Sequence, residues 1–182
     1  GSQGACPCAS EVSAVLCRCL GGEAVGRATD ALLFGEASPS GRLPETWPLR
    51  LEDTPCYLDF PGDGHTARYR EGVYVGYRRY DARKMAVRWP FGHGLSYTKF
   101  SVSEKAAWES GGLKISACIE NVGTRAGKYA FLVYVASPAG RLKNPVRAFA
   151  GFEKTKLLAP GEKETLTIEI PAKDFAVYDD TA

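Results

Sequence analysis

No run of apolar residues approaches the ~20 that a membrane-spanning helix needs, so no membrane partner is expected. The first nineteen residues also lack the basic start and apolar stretch of a secretory leader. Charge of one sign is missing too. Lys and Arg number 23 against 21 Asp and Glu, a net of +2. So even a balance lacks the basic stripe that holds nucleic acid, and no nucleic-acid partner is expected. Histidine is scarce, with only His65 and His93 available for acid–base work near neutral pH. There is no glycine-rich phosphate loop of Walker or dinucleotide type, and no cofactor is expected. Cysteine is present six times, but not in a zinc pattern, which usually reads C-x2-C twice. Here the pairs are Cys6-Pro-Cys8 and Cys17-Arg-Cys19, while Cys56 and Cys118 stand alone. A secreted disulfide scaffold is shorter and denser in cysteine. On a helix, Cys17 and Cys19 would point to nearly opposite sides and could not chelate one ion together, so no metal is expected.

What remains is globular. Hydrophobic residues make up 45% of the 182 and charged residues 24%, enough to build a core. Residues 1–35 read as helical. Ser10 is a plausible N-cap, with Val12, Val15, Leu16 and Cys19 at i, i+3, i+4 and i+7 and Gly21 as the stop. A second helix is expected from Gly22-Glu23 to Phe34-Gly35, with Val25, Ala28 and Leu32 on one face. Its interior Gly26 suggests close approach to a neighbouring backbone. Two such short helices cannot bury their stripes on each other alone, so the zone reads as the tail of a larger domain. Residues 36–100 have almost no periodicity but are rich in Pro, Gly and aromatics, the pattern of an ordered strap across a domain surface. Within it, Val73 to Tyr80 reads as a short strand. From Lys99 onward the pattern is β. Leu113 to Ile119 alternates and Asn121-Val-Gly123 turns. Tyr129 to Val135 and Ala148 to Lys156 follow as strands, Ala159-Pro-Gly161 turns, and Thr165 to Ile170 alternates again. Short strands with turn signals between them suggest an immunoglobulin- or fibronectin type III-like sandwich. About five strands are expected where such a sandwich has seven.

Several motifs now agree in order. Ala31-Leu-Leu-Phe-Gly-Glu-Ala-Ser-Pro-Ser-Gly-Arg-Leu-Pro44 resembles the end of the middle domain of family 3 glycoside hydrolases. Glu71-Gly-Val-Tyr-Val-Gly-Tyr-Arg-Arg-Tyr-Asp81 and Pro90-Phe-Gly-His-Gly-Leu-Ser-Tyr-Thr-Lys-Phe100 resemble that family's connecting segment. Val146 to Phe152, Leu158-Ala-Pro-Gly161 and Asp174-Phe-Ala-Val-Tyr178 resemble its C-terminal fibronectin-like module. Tyr57-Leu-Asp-Phe-Pro-Gly62 looks most like bacterial β-glucosidases. The implied fold class is α+β: C-terminal helices of an α/β sandwich domain in residues 1–45, an aromatic-rich connecting strap in 46–98, and a fibronectin type III-like β-sandwich in 99–182. Both ends are expected to fall inside domains. The implied parent hydrolyses β-glycosides with retention, and its substrate partner is a β-glycoside reached through a barrel and an α/β domain. Its nucleophilic Asp and its acid/base Glu match no position of this chain, so no catalytic residue is expected here. A different reading is a free-standing sandwich for carbohydrate binding or adhesion, although such a module has no use for helices at its start.

Tyr74, Tyr77, Tyr80 and His93 are the candidate rim residues for substrate. The aromatic faces of the three tyrosines, and of Trp89, Phe91 and Tyr97, suit stacking on sugar rings, or else they pin the strap to its domain. On a strand Tyr74 and Tyr80 would share a face opposite Tyr77. His93 is a candidate acid or base, or a structural hydrogen-bonding group, with no Ser or Cys beside it to form a relay. Glu71 and Asp81 would lie ~30 Å apart on an extended chain, too far for a carboxylate pair. They read instead as partners of Arg70, Arg78 or Arg79. Asp59 and Asp63 read as turn caps. Alternation places Cys118 with Ser116 on the face opposite Leu113, Ile115, Ala117 and Ile119, and slow thiol labelling is expected of it.

Overall fold

The structure, a computed structural model, describes residues 6–109, 111–138, 140–142 and 144–179. Five strands of the C-terminal half build two layers. β3 (Phe100–Glu109), β4 (Gly112–Asn121) and β7 (Lys163–Pro171) form one antiparallel sheet with β4 central. β5 (Ala130–Val135) and β6 (Ala148–Lys154) form the other. The expected alternation of β4 holds: Ile115, Ala117 and Ile119 are buried, while Lys114, Ser116, Cys118 and Glu120 are half-buried on the outer face. That outer face is polar. Cys118 lies between Ser103 and Thr165, and Lys114 and Glu120 pair with Glu169 and Lys163 across the β4–β7 ladder. The inner faces meet in two clusters, Ile115–Val133–Ile170 and Ile119–Leu158–Leu166, with Phe131 packed against both.

The N-terminal zone departs from its periodicity. A 3-10 turn spans Pro7–Ser10, and no helix follows until α1 (Val25–Leu33). The expected helix from Ser10 to Cys19 is absent. β-branched Val12 and Val15, with Ser13, Cys17 and Cys19, are weak helix formers. A helix this short also needs burial to hold it, and here Val12, Val15, Leu16 and Leu20 are all exposed. The second expected helix is α1. It ends as its sequence implies, with Gly35 left-handed at φ +75° and its N–H on the Leu32 carbonyl. Val25, Ala28 and Leu32 line one hollow, as expected of a shared face. Gly26, however, has open space rather than a neighbouring backbone where a Cβ would sit.

The strap folds back on itself. β1 (Trp47–Pro48) pairs antiparallel with β2 (Val87–Trp89), and the two indoles meet edge to face at 5.2 Å. The flanking chain continues the pairing: Leu43 N–H donates to the His93 carbonyl, and Gly92 N–H donates to the Leu43 carbonyl, each at 2.8 Å. The expected strand from Val73 to Tyr80 is instead a turn followed by helix α2 (Tyr77–Arg83). Tyr74, Tyr77 and Tyr80 recur every third residue, a helical spacing, and Arg and Ala in Tyr77–Arg83 are good helix formers.

Candidate functional site

Tyr77 and Asp81 meet the sandwich where helix α2 crosses the outer face of β5 and β6. Helix α2 brings Tyr77 and Asp81, one turn apart, to the same side. The Tyr77 ring stacks on Phe91 at 4.8 Å, and its hydroxyl accepts the Phe149 N–H at 2.6 Å. Asp81 takes two hydrogen bonds from Arg147, Nε at 2.7 Å and Nη2 at 3.3 Å. The guanidinium of Arg147 also lies over the Tyr134 ring at 4.8 Å, and its pKa is raised above the ordinary arginine value chiefly by the Asp81 bond. Phe91, Tyr134 and Phe149 complete an edge-to-face aromatic cluster. Gly92 makes this approach possible. Its φ is +81°, and a Cβ there would stand 2.7 Å from Leu132 Cδ1 and 2.8 Å from the Tyr134 hydroxyl.

Tyr80 is buried at 5% exposure, and burial raises its phenol pKa. Tyr74 is half-buried in the turn before α2, with its N–H on the Glu71 carbonyl. The structure therefore brings Tyr77 into the cluster, sets Tyr80 inside, and leaves Tyr74 apart from them. The expected division, with Tyr74 and Tyr80 on one strand face and Tyr77 on the other, gives way to helical geometry. His93 is half-buried, and both backbone groups are used: N–H to the Pro90 carbonyl at 3.0 Å and C=O to Leu43.

Asp59, Asp63 and Asp81 have separate partners. Asp81 binds Arg147, a residue 66 positions away, rather than Arg70, Arg78 or Arg79. Arg70 instead pairs with Asp59 at 3.1 Å. Asp63 caps its own turn through the N–H groups of His65 and Thr66, which lower its pKa below the usual carboxylate value. Besides this cluster, a cleft of about 330 Å³ opens between strap and sandwich. Its walls include Arg42, stacked 4.9 Å over Tyr129, together with Lys128 and Ser96. Sequence reasoning missed the partners Arg147, Tyr134 and Phe149, because contacts between α2 and strands β5 and β6 carry no local pattern. Among the described residues no group of three or more His, Cys, Asp and Glu side chains is placed to hold a metal ion. The cysteine geometry itself differs from expectation. Without a helix, the Cys17 and Cys19 sulfurs lie 3.7 Å apart, and those of Cys6 and Cys8 3.6 Å apart. Each S–H···S contact raises the pKa of one thiol, Cys6 or Cys19.

Comparison with known proteins agrees with this architecture. Residues 3–97 match the glycosyl hydrolase family 3 C-terminal domain, and residues 130–182 match a fibronectin type III-like domain. Thermostable beta-glucosidase B of Acetivibrio thermocellus is 42% identical over 98% of this chain and 24% of its own length. A beta-glucosidase of Ruminococcus albus is 43% identical over 88% of the chain and 17% of its own length. The chain thus spans about a quarter or less of the curated relatives it matches. Among solved structures, beta-glucosidase 3B of Thermotoga neapolitana, in complex with glycerol, superposes with a TM-score of 0.83 at 38% identity, covering 87% of this chain and 23% of that one. The GH3 beta-glucosidase of Bifidobacterium adolescentis gives 0.82 at 33% identity, covering 87% and 24%. Two matching domains in this order place the chain in glycosyl hydrolase family 3, as that family's C-terminal domain followed by a fibronectin type III-like domain.

Proposed function

We propose that this chain serves as the C-terminal portion of a retaining β-glucosidase, in which it steadies the active-site face and contributes no catalytic carboxylate. Residues 1–45 complete an α/β sandwich domain, 46–98 form the strap, and 99–182 form the docked sandwich. The observation that carries the reading is the 42% identity to a thermostable beta-glucosidase along 98% of the chain. Retaining hydrolysis needs two carboxyl groups ~5–5.5 Å apart, one to attack the anomeric carbon and one to protonate the leaving oxygen. Among the described residues, Asp59, Asp81, Glu120 and Glu162 are each held by a separate cation rather than facing a second carboxylate across a substrate site. Tyr77 and Tyr80 act as packing groups in this reading, and Tyr74 and His93 remain the rim residues nearest to a substrate role. The glycoside is bound through parts of the enzyme outside this chain.

Hydrolysis of an aryl β-glucoside tests it. The chain alone is expected to show no turnover above background. Mixed with the rest of the Acetivibrio enzyme lacking the corresponding segment, it is expected to restore activity. Turnover by the chain alone that vanishes in Glu71→Gln or Asp81→Asn would overturn the reading, as would failure to restore activity in a complex that does assemble.

A further inference from the structure

The two Cys-x-Cys pairs take no part in the strap or the sandwich core. All four are free thiols; Cys8, Cys17 and Cys19 are exposed and Cys6 is half-buried. Free cysteine is ordinarily among the most buried of side chains, so two pairs in one short segment with three of the four thiols exposed are unusual. Both are also held in place. Pro7 fixes its own φ between Cys6 and Cys8, and the 3-10 turn is closed by Ala9 N–H to the Cys6 carbonyl and Glu11 N–H to the Cys8 carbonyl. In the second pair Cys19 takes φ 51°, a left-handed conformation uncommon outside glycine. Arg18, between the two thiols, reaches across to the Thr29 hydroxyl at 3.1 Å and ties the segment to α1. A backbone outlier at a thiol pair is a reason to look for function there.

A tetrahedral cation fits the sulfur spacing. At the zinc–sulfur bond of ~2.3 Å, separations of 3.6 and 3.7 Å subtend about 103° and about 107° at the metal. Both are close to the tetrahedral angle. A linear two-coordinate ion would need its sulfurs about twice the bond length apart, roughly 4.6 Å. No third His, Cys, Asp or Glu joins either pair among the described residues, so two positions at each metal are left to water. We propose that Cys6–Cys8 and Cys17–Cys19 are two separate bidentate thiolate sites for a tetrahedral d10 divalent cation of the zinc and cadmium class. Each site takes up one M²⁺ and releases two thiol protons, leaving a neutral M(S-Cys)2 unit.

Titration of the reduced full chain with Cd²⁺, read by thiolate-to-cadmium charge-transfer absorbance and by competition with a chelator, tests this. Two Cd²⁺ per chain are expected. Cys6→Ser with Cys8→Ser is expected to remove one, Cys17→Ser with Cys19→Ser the other, and Cys56→Ser or Cys118→Ser neither. Cys17→Ser alone is expected to weaken its site at least tenfold. One Cd²⁺ shared by all four thiols, unchanged stoichiometry in the paired variants, or loss on Cys56→Ser would each overturn the proposal. A second arm needs no variant. A trivalent arylarsenical condenses with two thiols, R–As=O + 2 Cys-SH → R–As(S-Cys)2 + H2O, and is expected to bridge each pair and to be blocked by Cd²⁺. An arsenical that fails to bridge both pairs, or bridging that Cd²⁺ leaves unprotected, would overturn it.

Discussion

Asn121 shows how much one side chain can fix. It is fully buried at the end of β4, yet every polar group it carries is used. Its amide oxygen accepts the Thr98 hydroxyl at 2.7 Å and the Gly123 N–H at 3.1 Å, and its amide nitrogen donates to the Arg125 and Leu158 carbonyls at 2.7 and 2.9 Å. Three segments, the last residues of the strap, the turn after β4 and the stretch before β7, thereby converge on one amide. Asn121→Ala would leave the Thr98 hydroxyl, the Gly123 N–H and the Arg125 carbonyl unpaired, while the Leu158 carbonyl keeps the Gly127 N–H. With about 1–3 kcal/mol for each buried polar group left unsatisfied, and some of these groups recovering water, a loss of about 3 kcal/mol is expected. Denaturant unfolding of the assembled protein measures it, and a loss below about 1 kcal/mol would show that water enters in place of the amide. From sequence, Asn121-Val-Gly123 was legible as a turn because Asn and Gly tolerate turn geometry. Its role as a keystone was not legible, because two of its four partners, Thr98 and Leu158, lie far along the chain.

At the scale of elements, β4 and β7 were readable because each buries one face and the period of two survives in the residues. The failures have a common physical source. Residues 10–19 carry a helical spacing of apolar side chains, but nothing in the structure covers that stripe, and Val, Ser and Cys do not hold a helix unaided. Val73–Tyr80 was expected to be a strand, whereas Tyr77 and Tyr80 belong to a helix docked on β5 and β6 through Phe149, Phe91 and Arg147. That dock is testable. Phe91 joins Tyr77, Tyr134 and Phe149, so Phe91→Ala removes the centre of the cluster. Because the ring is half-buried, about 2–3 kcal/mol is expected rather than the larger cost of deleting a fully buried ring. Proteolytic cleavage between Leu51 and Val75 should accelerate in step with this loss. Asp81→Asn should do less, since the Arg147 pair is partly solvated and such pairs contribute about 0–1 kcal/mol. Equal effects from the two variants would mean that the ion pair, not the aromatic cluster, holds the strap.

The whole molecule exposes more surface than its mass warrants. A compact monomer of 19.7 kDa would present roughly 8,600 Å², yet this chain presents 12579 Å². The difference, roughly 4,000 Å², is several times the ~800 Å² that one partner contributes to an ordinary stable interface. Much of it is apolar and concentrated outside the sandwich: Leu20, Phe34, Leu58, Phe60, Tyr69 and Leu95 are each more than three-quarters exposed. β3 adds an edge strand with Trp108 at 65% exposure, covered only in part by Phe175. Apolar surface of this extent lowers its free energy by finding a partner. The sandwich, with its two inner clusters, is the part able to hold its own packing. The chain alone is therefore expected to bind a hydrophobic dye strongly under native conditions while retaining the β-sheet circular dichroism of β3–β7. Dye binding should fall when the remaining domains of a family 3 β-glucosidase are supplied, and Leu58 and Tyr69 in the strap should become protected from surface labelling. A monomer that binds no dye and unfolds in one cooperative transition would mean that strap and helix α1 close over this surface by themselves, and that the surplus area is lost in solution without any partner.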